Sequence, residues 1–263
     1  MREVTTLDLG KGFLDHGVGS SICFARGIVA TTDGAGRDIV LIWLMDFRGC
    51  ADLLEIDAES GASVSYPVPF YPDWDAPFAS LLSSRNRFYA LFNCHFLEFD
   101  LARRAFTQVR ETMPRTAMSM TEDDEGRIWI ITNPDSGLVM FDPRTDAFRD
   151  YGSIHRENWR QLPRATAADD RGWIYFALGK TRSQLLAFHP DDSKSVELCP
   201  DSARVPGAMS YVYRDLDGKV YGLLDEHHWE GPWYRLYEGA AVKLDAPPPE
   251  KRKPIVAGLQ GLF

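Results

Sequence analysis

Histidine, arginine and tryptophan side chains gather in a few short polar segments of the chain, including "YPDWDAP", "SIHRENWRQLPR" and "DEHHWEGPW". Tryptophan stacks on the apolar faces of sugars, and arginine grips a carboxylate through two parallel hydrogen bonds. The sequence therefore predicts a site for a polar or acidic, carbohydrate-like ligand. The candidate ligand-binding residues are Asp73, Trp74, His95, Trp159, Arg160, Arg164, Arg182 and Trp229.

One reaction that such residues could perform is β-elimination from a uronic acid. It needs a cation beside the carboxylate, to acidify the neighbouring proton, and a base to remove that proton. His155 and His228 are the candidate catalytic bases, with Arg160, Arg164 or Arg182 as the clamp. A single histidine in a loop is more often an ordinary surface residue, so the sequence leaves open whether the protein is an enzyme.

The two histidines of "EHHWE" also raise the question of a metal. Adjacent side chains in a strand point to opposite faces, which argues against a shared metal ion there. We assign no metal ligand; the cofactor stays unknown, with a divalent metal as one alternative.

The polar segments lie between short strands that belong to a repeat. "DDEGRIWIITNPDSGLVMFDPRTDAF" (123–148) has a polar turn, an apolar strand, a loop, a second apolar strand and another turn. "DDRGWIYFALGKTRSQLLAFHPDDSKSVEL" and "LDGKVYGLLDEHHWEGPWYRLYEGAAVKL" match it element by element. The turn glycines Gly126, Gly172 and Gly218 are each 46 residues apart. Two weaker copies precede them, one with Asn86 in the place of the glycine.

This period predicts an all-β protein, a single-domain β-propeller of about five recognisable four-stranded blades. A solenoid of strands is the alternative architecture, and no segment shows helical periodicity with caps. Residues 1–12 suit a closing outer strand, and 246–263 suit a linker followed by the start of a further blade. Either the ring closes with about five blades or the chain is a fragment of a larger propeller. The blades are approximately 20–68, 75–110, 115–151, 163–199 and 207–245.

In a propeller, the loops between blades and the loops joining second to third strands emerge at one end of the central channel. All the candidate site residues fall in such loops, whereas "DDEGR" and "DPRTD" fall in turns at the other end. The repeated aromatic residues of the second strands should pack in the core between blades. They are Trp129, Trp173, Tyr175 and Tyr221.

The "DxxG" turn, the strand around Trp129 or Tyr175 and the "FDPRT" turn together resemble the propeller repeats of streptogramin lyases and of two-component-regulator sensor propellers. The resemblance covers about 20–245, blade by blade, and such repeats indicate the fold better than the chemistry. It implies that a lyase of this kind would use a histidine base and Mg²⁺. No motif here allows those residues to be carried over one by one.

Composition limits the class of protein further. The net charge is −9 and the isoelectric point about 5.2, which disfavours a general nucleic-acid binder. No apolar run is long enough for a membrane helix, and the N-terminus lacks a signal peptide, so we expect a cytoplasmic protein without membrane contact. The four cysteines are widely spaced, as expected of free thiols.

Together these observations predict a propeller that binds a small polar or oligosaccharide ligand at the channel mouth. If the protein is an enzyme, they favour a lyase that acts by β-elimination. The alternative is a non-catalytic ligand-sensing or protein-interaction module. The oligomeric state is not predicted.

Overall fold

A computed structural model describes residues 23–46, 51–72, 77, 79–113, 115–215, 217–226 and 232–248. These residues form five antiparallel sheets of four strands, and within each sheet the strands follow chain order. The first sheet is β1 (Cys23–Thr32), β2 (Asp38–Asp46), β3 (Ala51–Asp57) and β4 (Ser63–Pro67); the second is β5 (Ser80–Leu82), β6 (Arg87–Phe92), β7 (His95–Asp100) and β8 (Ala105–Glu111).

The other three sheets repeat this arrangement. The third is β9 (Thr116–Glu122), β10 (Ile128–Asn133), β11 (Gly137–Asp142) and β12 (Ala147–Ser153); the fourth is β13 (Leu162–Ala168), β14 (Ile174–Gly179), β15 (Gln184–His189) and β16 (Lys194–Glu197); the fifth is β17 (Tyr211–Arg214), β18 (Val220–Leu223), β19 (Trp233–Tyr237) and β20 (Ala240–Lys243). Within the described ranges, the one helical element is a 3₁₀ turn at Asp201–Ala203, so the prediction of an all-β protein is confirmed.

Local residues shape the first-to-second strand turns. Gly126 has φ +78°, and Asn86 replaces it in the second sheet with φ +55°, so both residues occupy the left-handed region that such a turn needs. The Asp123 carboxylate accepts hydrogen bonds from the backbone N–H groups of Glu125 and Arg127, at 3.0 and 2.9 Å. The "DxxG" turn of the third sheet is therefore closed by hydrogen bonds among its own residues.

Successive sheets pack face to face through four apolar clusters. Trp129 and Tyr175 are fully buried there, as predicted, and their polar atoms donate hydrogen bonds to Asp123 and Asp169. Burial of each such large side chain contributes roughly 1.5–3 kcal/mol. Trp173 instead precedes β14 and is half-buried against the cluster between the fourth and fifth sheets, and Tyr221 is also half-buried.

The sheets turn about a common axis instead of standing in a straight row. The inner strands β1, β5, β9, β13 and β17 are neighbours in that order. Arg214, at the end of β17, also reaches Asp124 in the turn after β9, with two contacts of 2.7 Å that pass over the fourth sheet. Sheets stacked in a row about 10 Å apart would hold the third and fifth sheets too far apart for this pair.

The five described sheets do not close into a ring among themselves. The predicted closing strand at 1–12 and the predicted start of a further blade lie outside the described residues. In the described part of the chain, no helix is long and apolar enough to cross a membrane.

Candidate functional site

The two ends of the sheets carry different segments. We call the end with the first-to-second and third-to-fourth strand turns the turn face. We call the other end the loop face, because it carries the second-to-third strand loops and the segments that connect successive sheets. Of the predicted site residues, Asp73, Trp74, His228 and Trp229 lie outside the described residues. The remaining six are on the loop face.

Arg164 lies on the inner strand of the fourth sheet and not in the preceding loop as predicted, at a bulge between Pro163 and Ala165. Its Nη1 donates a hydrogen bond of 2.9 Å to Oε1 of Glu226, in the second-to-third strand loop of the fifth sheet. The Glu226 backbone N–H is held by the carbonyl of Met209 at 2.8 Å. The Arg164 side chain is 39% exposed, so its guanidinium is both anchored and open to solvent.

Arg182 is bound to the segment that connects the fourth and fifth sheets. Its guanidinium donates to the Asp201 carbonyl at 2.7 Å and lies 3.2 Å from the Asp201 carboxylate. Arg204, which is only 6% exposed, contacts the same carboxylate at 3.2 Å and donates through Nε to the Ser183 carbonyl at 2.9 Å. Two arginines therefore share Asp201.

His155 belongs to a buried polar network that includes Arg204. Its Nε2 lies 3.3 Å from Oε1 of Glu157, and Arg204 donates to the same oxygen. Gln161 is buried and closes the network by donating to the His155 carbonyl at 2.7 Å and to the hydroxyl of Ser136. The His155 side chain is 9% exposed, so the imidazole does not open onto the loop face in this arrangement.

Three predicted residues stand apart from the charge network. His95 is the first residue of β7, not a loop residue, and its ring stacks on Phe70 with centroids 3.9 Å apart. Trp159 is half-buried, and Arg160 is exposed with no ion pair to any described residue.

The structure therefore joins some predicted residues and separates others. His155 and Arg182 belong to one continuous chain of contacts, through Glu157, Arg204 and Asp201. Arg164 is attached instead to the loop of the fifth sheet. Sequence reasoning missed the four residues that organise this face, Glu157, Asp201, Arg204 and Glu226. Glu157, Asp201 and Glu226 carry a charge opposite to that of the predicted arginines, which was a signal in the sequence, but the sequence does not say which charges meet.

The turn face offers a cavity of about 270 Å³ between the turns of the third and fourth sheets. Its buried carboxylates, Asp123 and Asp169, are already committed to backbone and aromatic donors of their own blades. Among the residues that the structure describes, no three potential metal ligands come together on either face. The loop face is therefore the better candidate site.

No protein-family model matches the chain, and no curated protein sequence matches it. Solved structures do share its architecture, which is that of a β-propeller, as predicted. A streptogramin B lyase superposes with a TM-score of 0.56 at 14% identity, over 87% of this chain and 74% of that one.

Two further structures show the same fold. A catalytically inactive virginiamycin B lyase from Staphylococcus aureus, with quinupristin, has a TM-score of 0.56 at 11% identity, covering 86% of this chain and 75% of that one. Hydrazine synthase from Kuenenia stuttgartiensis has a TM-score of 0.54 at 13% identity, covering 89% and 69%. Likeness at this level of identity shows the fold, and the predicted blade-level resemblance to the streptogramin lyases is confirmed in that sense.

Proposed function

We propose that this propeller binds a small, carboxylate-bearing, carbohydrate-like ligand at the loop face. The observation that carries the proposal is the geometry of Arg164. Glu226 engages one nitrogen of its guanidinium, the side chain is 39% exposed, and the residue lies on the inner strand nearest the axis. A guanidinium that is already held in place loses less side-chain entropy when a carboxylate binds its remaining donors.

Aromatic side chains on the same face support the carbohydrate part of the proposal. Trp159 is half-buried in the segment between the third and fourth sheets, beside exposed Arg160. Tyr71, in the segment between the first and second sheets, is 70% exposed. Exposed and half-exposed rings offer apolar faces on which a sugar ring can stack.

The test is the binding of a galacturonic acid trisaccharide to wild type and to Arg164→Ala, by calorimetry. We expect the variant to bind at least about tenfold more weakly, because a hydrogen bond to a charged group is worth roughly 1.5–3 kcal/mol. The melting temperature should fall only slightly, since a part-exposed ion pair contributes about 0–1 kcal/mol.

Two controls make this result specific. Lys194→Ala removes an exposed cation from the outer strand β16, away from the loop face, and should leave binding unchanged. A neutral glucose trisaccharide should bind weakly to every variant. The proposal is wrong if wild type does not discriminate between the acidic and the neutral trisaccharide.

Catalysis of β-elimination is a second candidate, favoured by the contact between His155 and Glu157. A carboxylate that orients a histidine is a common arrangement for a general base. Two of the structural neighbours are lyases by name. In such a reaction the base takes the proton next to the carboxylate, the bond to the β-oxygen breaks, and the leaving oxygen takes up a proton. His155 is nearly covered, so this role needs the ring to move.

A product assay separates the two candidates. Ultraviolet absorbance of an unsaturated uronate, formed by wild type and lost in His155→Gln with the fold intact, would identify a lyase. Wild type that binds the trisaccharide without forming this product is a sensing module. A cytoplasmic location stays a prediction from the N-terminal sequence.

A further inference from the structure

Lys180 has the most unusual backbone conformation of the described non-glycine residues with positive φ. The others, such as Asn86 and Asp146, lie between 49° and 55°, within the ordinary left-handed region. Lys180 has φ +93°, which a side chain adopts only with strain and a glycine adopts freely. Strain of this kind persists where the surroundings enforce it, and it concentrates at functional sites.

The surroundings of Lys180 do enforce it. Gly179 forms an isolated bridge with Met209, and a Cβ at position 179 would lie 2.6 Å from the Met209 Cα, so the two backbones meet at close range. The Lys180 N–H donates to the Ala208 carbonyl at 3.2 Å, and the Thr181 carbonyl accepts from the Gly207 N–H at 2.9 Å. Backbone hydrogen bonds to the segment that connects the fourth and fifth sheets therefore fix the chain on both sides of Lys180.

The side chain of Lys180, in contrast, has no fixed partner in the described part of the chain. Lys180 is exposed and makes no side-chain hydrogen bond or ion pair with any described residue. The neighbouring arginines Arg164 and Arg182 are each paired with a carboxylate. A glycine at position 180 would give the same turn without strain, so the turn itself does not explain a lysine there.

The same connecting segment links Lys180 to the proposed ligand site. The Met209 carbonyl accepts the backbone N–H of Glu226, and Glu226 holds Arg164. Ala208 and Met209 thus join the loop that bears Lys180 to the loop that anchors Arg164. A fixed guanidinium and an exposed ammonium at one end of the fold can both engage a carboxylate-bearing ligand, the first through paired donors and the second as a point charge.

From this geometry we infer that Lys180 is a ligand-binding residue that contacts an anionic group of the ligand. The inference rests on the proposed function, and it deepens it by naming a second cation at the same site. The strain at position 180 is the cost of placing an ammonium group there. It follows that stability and ligand binding should change in opposite directions when the lysine is replaced by glycine.

The experiment compares Lys180→Ala, Lys180→Gly and Lys180→Arg with wild type, using the galacturonic acid trisaccharide and the neutral glucose trisaccharide as probes. Alanine and glycine both remove the charge, but only glycine removes the strain. We expect both to weaken binding of the acidic trisaccharide about tenfold or more, and arginine to retain most of it. The melting temperature of the glycine variant should exceed that of the alanine variant by roughly 2–6 °C.

The binding role of Lys180 and the backbone strain at this position can each be contradicted by a different result. If wild type binds the acidic trisaccharide and all three variants bind it equally well, the role of Lys180 is wrong and the proposed function stands. If wild type binds neither trisaccharide, the proposed function and this inference both fail. A glycine variant no more stable than the alanine variant would contradict the strain, whatever the binding result.

Discussion

At the scale of the residue, the polar groups on this fold differ in how completely they are paired. Arg204 is nearly buried and has acceptors on Ser183, Asp201 and Glu157. Arg164 is anchored through one nitrogen and is otherwise open. Buried charges must be paired to be tolerated, whereas a partly exposed one can keep donors for a ligand. Arg204 therefore stabilises the structure of the loop face, whereas Arg164 keeps donors available for a ligand there.

Asp33 gives a residue-scale prediction about pH. The backbone N–H of Arg37, followed by its guanidinium, lowers the pKa of the Asp33 carboxyl from 3.8 to about 2. A carboxyl with a lowered pKa in the folded state adds stability above its unfolded pKa. That contribution is lost as the pH falls through the folded value. We expect Asp33→Asn to lose less stability than wild type between about pH 4 and pH 2.

The measurement is urea unfolding at a series of pH values. Glu59→Gln, which changes an exposed carboxylate that makes no ion pair with any described residue, is the control and should follow the wild-type curve. An Asp33→Asn curve as steep as that of wild type would show that Asp33 does not contribute to acid sensitivity.

At the scale of the element, the hairpin turns determine how each sheet folds back on itself. Gly36 and Gly239 have similar φ values, +79° and +73°, in turns of the first and fifth sheets. A Cβ at Gly36 would meet nothing within 4 Å, whereas one at Gly239 would lie 2.5 Å from two carbons of the Trp173 ring. The two positions therefore share a backbone requirement and differ in the space available.

Alanine at each position separates these two effects. Gly36→Ala should cost about 1 kcal/mol of unfolding free energy, because only the left-handed backbone is penalised. Gly239→Ala should cost about 1–3 kcal/mol more, since the methyl group also displaces Trp173 from its packing. Chemical denaturation of both variants measures the difference, and equal losses would mean that Trp173 moves aside without cost.

At the scale of the whole molecule, one ion pair joins two sheets that are not neighbours. Arg214 and Asp124 pair across the fourth sheet, and the hydrogen bonds from the Arg214 guanidinium lower the pKa of the Asp124 carboxyl. The Asp170 N–H donates to the Gly218 carbonyl, which joins the fourth and fifth sheets on the same turn face. The turn face thus ties three sheets together at the end opposite the proposed ligand site.

A double-mutant cycle on Asp124→Asn and Arg214→Gln tests whether this ion pair stabilises the fold. We expect a coupling energy of about 0.2–1 kcal/mol that shrinks as salt is added, since both side chains are partly exposed. Arg144→Gln in place of Arg214→Gln is the matched control, because Arg144 pairs with Asp142 and Glu125 and makes no ion pair with Asp124. Additive effects of the first pair would show that the contact between Asp124 and Arg214 does not stabilise the fold.

The sequence alone determined the repeat, the strands and the turns of this protein. Gly126, Gly172 and Gly218 recur at a constant spacing, and each supplies a positive φ to its turn. In the third and fourth sheets the carboxylate three residues before the glycine, Asp123 or Asp169, accepts a backbone N–H of the turn. Such features depend on neighbours in the chain, so they can be predicted without the fold. The separation of loop-face from turn-face residues also follows from strand order. These local rules account for the all-β architecture and for the end of the molecule where the candidate site lies.

Only the tertiary structure decided which of the described charges on the loop face pair with one another. Glu226 and Glu157 lie 62 and 47 residues from the arginines that they bind, Arg164 and Arg204. Nothing local specifies these partners, because they depend on how loops of different sheets meet once the blades have packed. The strain at Lys180 has the same origin, since a distant segment enforces it. The sequence could place a larger set of polar residues on the loop face, but it could not say which of them meet. Long-range packing determines those contacts.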